Sequence, residues 1–217
     1  MVSRIQYSYT DEQITAWLRG LLSIAWADGH FSSEEQALIT TLMEQDLSHT
    51  IDLESAITIS PAELAEVLGQ DAQMAENFLR TAVMVAIADG TYSPPEDELL
   101  HQFCTALKQQ SDVLAPLRLT LSDRINSASA LSPRVLNPLQ EWLDRLEVQD
   151  PRLARFLCRM IPSQCPFERD ITLFGRKLVH IPPMCKINPL YEQLVGLRFR
   201  ALSYLADDCQ EDVAKYC

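Results

Sequence analysis

Glycine is scarce in this chain, with six residues in 217, each standing alone at positions 20, 29, 69, 90, 175 and 196. No glycine-rich turn is available to cradle a phosphate or dinucleotide, and neither a G-x-S-x-G nucleophile elbow nor a His-Glu-x-x-His zinc helix occurs. Histidine is also sparse, and His30, His49, His101 and His180 are scattered, which leaves ordinary acid–base catalysis few candidates. No apolar run approaches the roughly 20 residues a membrane-spanning helix needs, and Met1 to Tyr7 lacks the apolar core of a signal peptide. These absences point to a cytoplasmic protein without a transmembrane segment and to something other than a conventional enzyme.

Basic residues are missing from one half. Up to Asp112 there are 4 Lys/Arg against 18 Asp/Glu, a balance of −14; thereafter 14 stand against 12, a balance of +2. An acidic surface repels phosphate backbones and attracts cations or basic partners, so nucleic-acid binding by the first half is disfavoured. The later basic stretch, Arg145, Arg152, Arg155, Arg159, Arg169, Arg176, Lys177 and Lys186, reads as a solvated face or as a surface docking onto the acidic half.

Close cysteine pairs are lacking too. Cys104 is early, while Cys158, Cys165, Cys185, Cys209 and Cys217 fall late, with no Cys-x-x-Cys among them. In a reducing compartment three outcomes stay open. The thiols pack as small hydrophobes, or they form a redox pair, or Cys158, Cys165, Cys185 and Cys209, with His180, hold zinc or an iron–sulfur group.

What is present is legible helix punctuation. Thr10 to Gln13 forms a capping-box pattern, and Ile14, Trp17, Leu18, Leu21 and Ala25 follow at the spacing of one helix face, to about Asp28-Gly29. Ser32 to Glu35 opens a second helix. Ser60-Pro61-Ala62-Glu63 opens a short one, and Ala72 to Ala88 is a longer one ending at Asp89-Gly90. Ser93 to Glu96 opens the next. Ser132-Pro133 and Asn137-Pro138 introduce a helix near Leu139 to Glu147, and Asp150-Pro151 another through Leu153, Phe156 and Leu157. Asn188-Pro189 opens a last long helix with Leu190, Leu194, Leu197, Phe199, Leu202 and Leu205. Ile171 to Ile181 reads as a hairpin turning at Gly175 or, since its alternation is imperfect, as a loop.

The chain also repeats itself. A shift of 61 residues superposes Ala27-Asp28-Gly29-His30-Phe31-Ser32-Ser33-Glu34-Glu35 on Ala88-Asp89-Gly90-Thr91-Tyr92-Ser93-Pro94-Pro95-Glu96, which signals an internal duplication. These two Ala-Asp-Gly-x-aromatic-Ser-x-x-Glu turns resemble the paired motifs of the TerB-like tellurite-resistance domain. The resemblance implies an all-helical bundle over Thr10 to Ser127 with an acidic, cation-binding surface. The last 60 or so residues, from Ile161-Pro162-Ser163-Gln164-Cys165-Pro166 through His180-Ile181-Pro182-Pro183-Met184-Cys185 to Cys217, resemble the small cyanobacterial domain called the Mo-dependent nitrogenase C-terminal domain. That resemblance implies a cyanobacterial source. It does not imply nitrogen fixation, because a nitrogenase component needs a cluster-bearing fold far larger than this tail.

The chain is therefore read as all-α, with a duplicated TerB-like bundle at residues 1–127, a helical connector at 128–160 and a small, mainly helical C-terminal domain at 161–217. Asp28, Glu35, Asp89 and Glu96 are the candidate ligands of a divalent cation such as calcium, magnesium or manganese, converging across the pseudo-twofold of the repeat. Neither copy is an EF-hand, since Ile24, Trp26, Val85 and Ile87 stand where acidic ligands belong. Capping alone accounts for Ser32, Glu35, Ser93 and Glu96, but not for an aspartate ahead of each glycine, where a helix C-terminus disfavours negative charge. The expected function is a non-catalytic acidic interaction module, stress-related through the TerB resemblance, whose C-terminal domain recognises another protein. A thiol-based redox or metal protein is the alternative.

Overall fold

The structure is a computed structural model that describes residues 9–27, 58–87, 92–121, 133–161, 169–173, 176–181 and 190–216. Helix α1 spans Asp11–Ala25. Thr10 Oγ1 accepts from the Gln13 amide at 3.2 Å, and the Gln13 side chain accepts from the Thr10 amide at 2.9 Å. This is the expected capping box. Helix α2, Pro61–Leu68, carries the same reciprocal pair between Ser60 and Glu63, with proline at the first turn where its missing N–H costs nothing. Helix α3, Ala72–Ala86, is capped by Asp71, whose carboxylate takes the amides of Gln73 and Met74. Helix α4, Pro94–Ala106, is capped by Ser93 and Glu96.

Helices α1 and α3 are each 15 residues long, and both their ends are displaced by the 61 residues of the sequence repeat. They pack on each other, α2 packs on α1 and α4, and α4 also packs on α3. Along this bundle Tyr9, Trp17, Phe78 and Phe103 form a chain of rings with centroid separations of 5.0, 5.9 and 5.5 Å. The last two contacts are edge-to-face, the arrangement the ring quadrupoles favour. Trp17 and Phe78 occupy equivalent positions of the repeat, so the middle contact joins a position to its own counterpart. Gly20 makes that crossing close, because a Cβ there would lie 2.7 Å from the Phe78 ring.

Helix α4 ends in a Schellman motif. Gln109 donates to the Cys104 carbonyl and Lys108 to that of Thr105, with Lys108 in the left-handed region at φ 56°. A 3₁₀ turn, Asp112–Leu114, leads into α5, Ala115–Leu121. Helix α6 spans Pro133–Asp144, opening at the first of the two expected proline signals and ahead of the expected start near Leu139. Pro138 does not open the helix but lies inside it, where it gives up one backbone hydrogen bond. Helix α7 spans Pro151–Met160 and is capped by Asp150, as the Asp-Pro pair requires.

Arg169–Leu173 (β1) and Arg176–Ile181 (β2) pair antiparallel, with an irregular step between Ile171 and Thr172. The hairpin reading therefore holds, and the step falls where the alternation is imperfect. The last long helix, α8, spans Tyr191–Ser203 and continues as a π turn, Tyr204–Asp208. Leu190, Leu194, Leu197, Ala201 and Leu205 form its buried stripe, whereas Phe199 is 68% exposed. Helical geometry puts Phe199 on the outer side, since two residues past Leu197 is about 200° around the axis.

The described chain is thus mainly helical with one small hairpin, and a single buried apolar cluster runs from Tyr9 to Tyr216. Helix α7 packs on α8 and α1, and α6 packs on α5 and α8. Arg198, itself buried, gathers the carbonyls of Cys158, Ile161 and Tyr216, tying the end of α7 to the chain's last turn.

Candidate functional site

Of the four acids expected to ligate a cation, Glu96 lies in the described residues; Asp28, Glu35 and Asp89 lie outside them. Glu96 is buried, and its Oε2 accepts from the Ser93 amide at 2.8 Å and the Ser93 hydroxyl at 2.7 Å. The cap accounts for its position. Its neighbour Asp97 does more than the sequence indicated. Asp97 accepts from the Tyr92 hydroxyl at 2.9 Å and from Arg118 Nε at 3.0 and 3.2 Å. His101 Nδ1 lies 2.8 Å from the Asp97 carbonyl. Burial, followed by the adjacent Asp97 charge, pushes the Tyr92 phenol well above its ordinary value. Asp97 therefore fixes the aromatic residue of the second repeat, a role that spacing alone did not single out.

Cys165, Cys185 and Cys217 lie outside the described residues. Cys104, Cys158 and Cys209 are free thiols, the first two buried and the third partly so. Burial pushes the Cys104 thiol up to about 11 and raises that of Cys209, although a hydrogen bond with Tyr204 and the Arg155 charge pull Cys209 back. Both are held toward the unreactive thiol form. Among the described residues no three His, Cys, Asp or Glu side chains gather to hold a metal ion.

Two surface features stand out. The first is a groove of about 400 Å³ between α1 and α2. Asp11, Glu12, Glu63 and Glu66 line its walls, and Ala16, Ile59 and Val67 supply apolar surface. Arg19 also lines it, donating to the Thr58 carbonyl.

The second lies where the bundle meets α6 and α7, at a junction held by two buried arginines. Arg152 is 5% exposed and forks onto Asp150, which is fully buried, at 2.9 and 3.1 Å. It also reaches Asp11 at 2.7 Å and the Tyr9 carbonyl at 2.9 Å. Burial works against the Arg152 charge, but the bonds to Asp150 and Asp11 prevail and its pKa rises. Tyr9 beside it is pushed up to about 12 by burial and then by Asp150. Arg80, 2% exposed, donates to Glu76 Oε1 at 2.7 Å, Asn77 Oδ1 at 2.8 Å and the Trp142 carbonyl at 2.8 Å. Its guanidinium lies 5.3 Å over the Trp142 ring, whose Nε1 donates to the same Glu76 oxygen at 2.9 Å. Burial lowers the Arg80 pKa, Glu76 opposes that, and the nearby like charge of Arg145 adds to it.

Beside this network is a cavity of about 420 Å³. Leu79, Cys104 and Leu114 lie buried at its base, and the exposed Pro138 and half-buried Trp142 line it nearer the surface. Glu76, Glu141, Arg145 and the amides of Gln109 and Gln110 ring it. The Schellman turn at Lys108 is what brings Gln109 and Gln110 there. The basic stretch is thus partly spent on architecture: Arg152 docks onto the acidic half, Arg155 pairs with Glu211 at 2.9 Å, and Arg159 lies 5.9 Å over Tyr216.

Comparison with protein families gives one match. Residues 135–217 fit the family model of the Mo-dependent nitrogenase C-terminus. This supports the C-terminal resemblance and extends it back through α6 and α7, into the segment expected to be a connector; it does not reach the N-terminal bundle. Comparisons with curated proteins and with solved structures return no match. No helix among the described residues is long and apolar enough to cross a membrane.

Proposed function

We propose that the chain is a non-catalytic interaction module whose acidic N-terminal bundle takes a basic segment of a partner protein. The observation that carries this reading is the α1–α2 groove, where four carboxylates surround an apolar strip. Such a surface suits an amphipathic segment with Lys or Arg along one side, and its charge steers association as well as holding the complex. Glu12 and Glu66 are the solvent-facing carboxylates best placed to contribute, since Asp11 is shared with Arg152 and Glu63 with Ser60.

A Lys/Arg-rich amphipathic peptide added to the full chain tests this. Binding should weaken steeply with salt, and Glu12→Lys with Glu66→Lys should lower affinity about tenfold or more while leaving the melting temperature in place. Affinity that ignores both salt and the double substitution would sink the proposal.

The divalent-cation reading of the TerB-like repeat is a separate proposal, favoured by the aspartate that precedes each repeat glycine. Calcium, magnesium or manganese at a hundred times its dissociation constant should add about 2.7 kcal/mol to stability. That gain should vanish in Asp28→Asn/Asp89→Asn; no shift with any of the three ions would retire it.

A further inference from the structure

We propose that the cavity between α3, the end of α4 and α6 is a binding site for a small zwitterion, specifically a free amino acid with an apolar side chain. The cavity presents three kinds of surface that such a molecule needs at once. Its volume of about 420 Å³ lies at the lower end of the range that holds small metabolites, about 300–1,000 Å³.

The ammonium end is met by carboxylates. Both donors to Glu76, Arg80 and the Trp142 indole, fall on Oε1. Glu76 lines the cavity, and these two donors hold its carboxylate as a fixed partner. Glu141 is exposed on the same rim. The carboxylate end is met by Arg145, on the rim beyond Trp142, whose guanidinium can take it through two parallel bonds. The body of the ligand is met by Pro138 and the Trp142 ring, with the buried Leu79, Cys104 and Leu114 beneath.

The charges balance as well. Glu76 is offset by Arg80 behind it, which leaves Glu141 and Arg145 as an opposed pair around the opening. A neutral molecule with separated charges fits that pair better than a plain amine or a plain acid, each of which leaves one rim charge without a ligand partner. The site uses residues from the N-terminal bundle and from the family-matched segment together, so an occupant braces the two against each other. It is separate from the α1–α2 groove and does not depend on it.

The test is isothermal titration of the full chain with leucine, methionine and valine, alongside 3-methylbutylamine and 4-methylpentanoate, which keep the leucine side chain but lose one charge each. At least one of the three amino acids should bind with one-to-one stoichiometry and raise the melting temperature. Each truncated analogue should bind about tenfold or more weakly than leucine, as expected when a charge-assisted bond is lost. Arg145→Gln, an exposed change, should weaken amino-acid binding by a similar factor and leave the weak binding of the amine unchanged. If none of the three amino acids binds at millimolar concentration, the proposal is overturned. It is equally overturned if binding is indifferent to the loss of either charge or to Arg145→Gln.

Discussion

Asp150 is a carboxylate with no exposed surface, and its tolerance depends on two kinds of donor: the Arg152 amide that it caps and the Arg152 guanidinium that it pairs with. Removing one partner of a buried pair leaves the other charge stranded, at a typical cost of about 3–5 kcal/mol. Arg152→Ala should therefore lower the free energy of unfolding in urea by about that amount. Asp150→Asn should cost less, because asparagine keeps the cap. No loss in Asp150→Asn would mean that the pair's charge is not what matters at this position. Only part of this was visible in the residues themselves. Asp150-Pro151 announced a helix start, and Arg152 read as one of a row of basic residues either solvated or docking onto the acidic half, but burial of its charge is decided by elements more than a hundred positions apart.

At the scale of elements, the helix starts were the most legible feature of the sequence. Thr10, Ser60 and Ser93 each receive the reciprocal bond their spacing implies, because a capping box is local and closes within four residues. Competing start signals were less so. Of the two proline pairs offered as a beginning, the helix opens at Pro133 and Pro138 proves internal, a matter of tertiary context. The end of α4 carries a testable cost. Lys108 sits at φ 56°, where a side chain crowds the backbone, while the motif it completes needs that conformation. Lys108→Gly should stabilise the chain by about 0.5–1 kcal/mol, read as a higher urea midpoint with an unchanged slope. A lower midpoint would mean that the lysine side chain contributes more than its backbone strain costs.

For the molecule as a whole, the candidate sites divide by their distance from the repeat motif. Glu96 could be named from the sequence because it belongs to the repeat. The cavity beside Trp142 could not, because Glu76, Gln109 and Arg145 share no spacing and meet only when α6 docks. Stability should also report on burial across the whole fold. The unfolded chain ionises Cys104 near pH 9 and Tyr9 near pH 10, whereas the folded chain holds them neutral to about 11 and 12. Raised values such as these leave stability intact below the unfolded values and erode it as pH climbs through each interval. The urea midpoint should thus fall steadily above pH 9, with Cys104 accounting for about 2–3 kcal/mol by pH 11. Cys104→Ala should flatten the curve between pH 9 and 11; an unchanged slope there would assign the loss to other groups.

The meeting of Trp17 with Phe78 has a meaning in terms of symmetry. A site that touches its own counterpart is the signature of an isologous interface, the kind formed when identical subunits associate about a twofold axis. Within one chain, a contact between counterpart positions is what a pseudo-twofold arrangement of the two copies requires. The copies are free to differ at it, and one carries tryptophan where the other carries phenylalanine. On the matched helices Arg80 has Arg19 as its counterpart, whereas Glu76, which holds Arg80 and the Trp142 indole beside α6, stands where the first copy has Thr15.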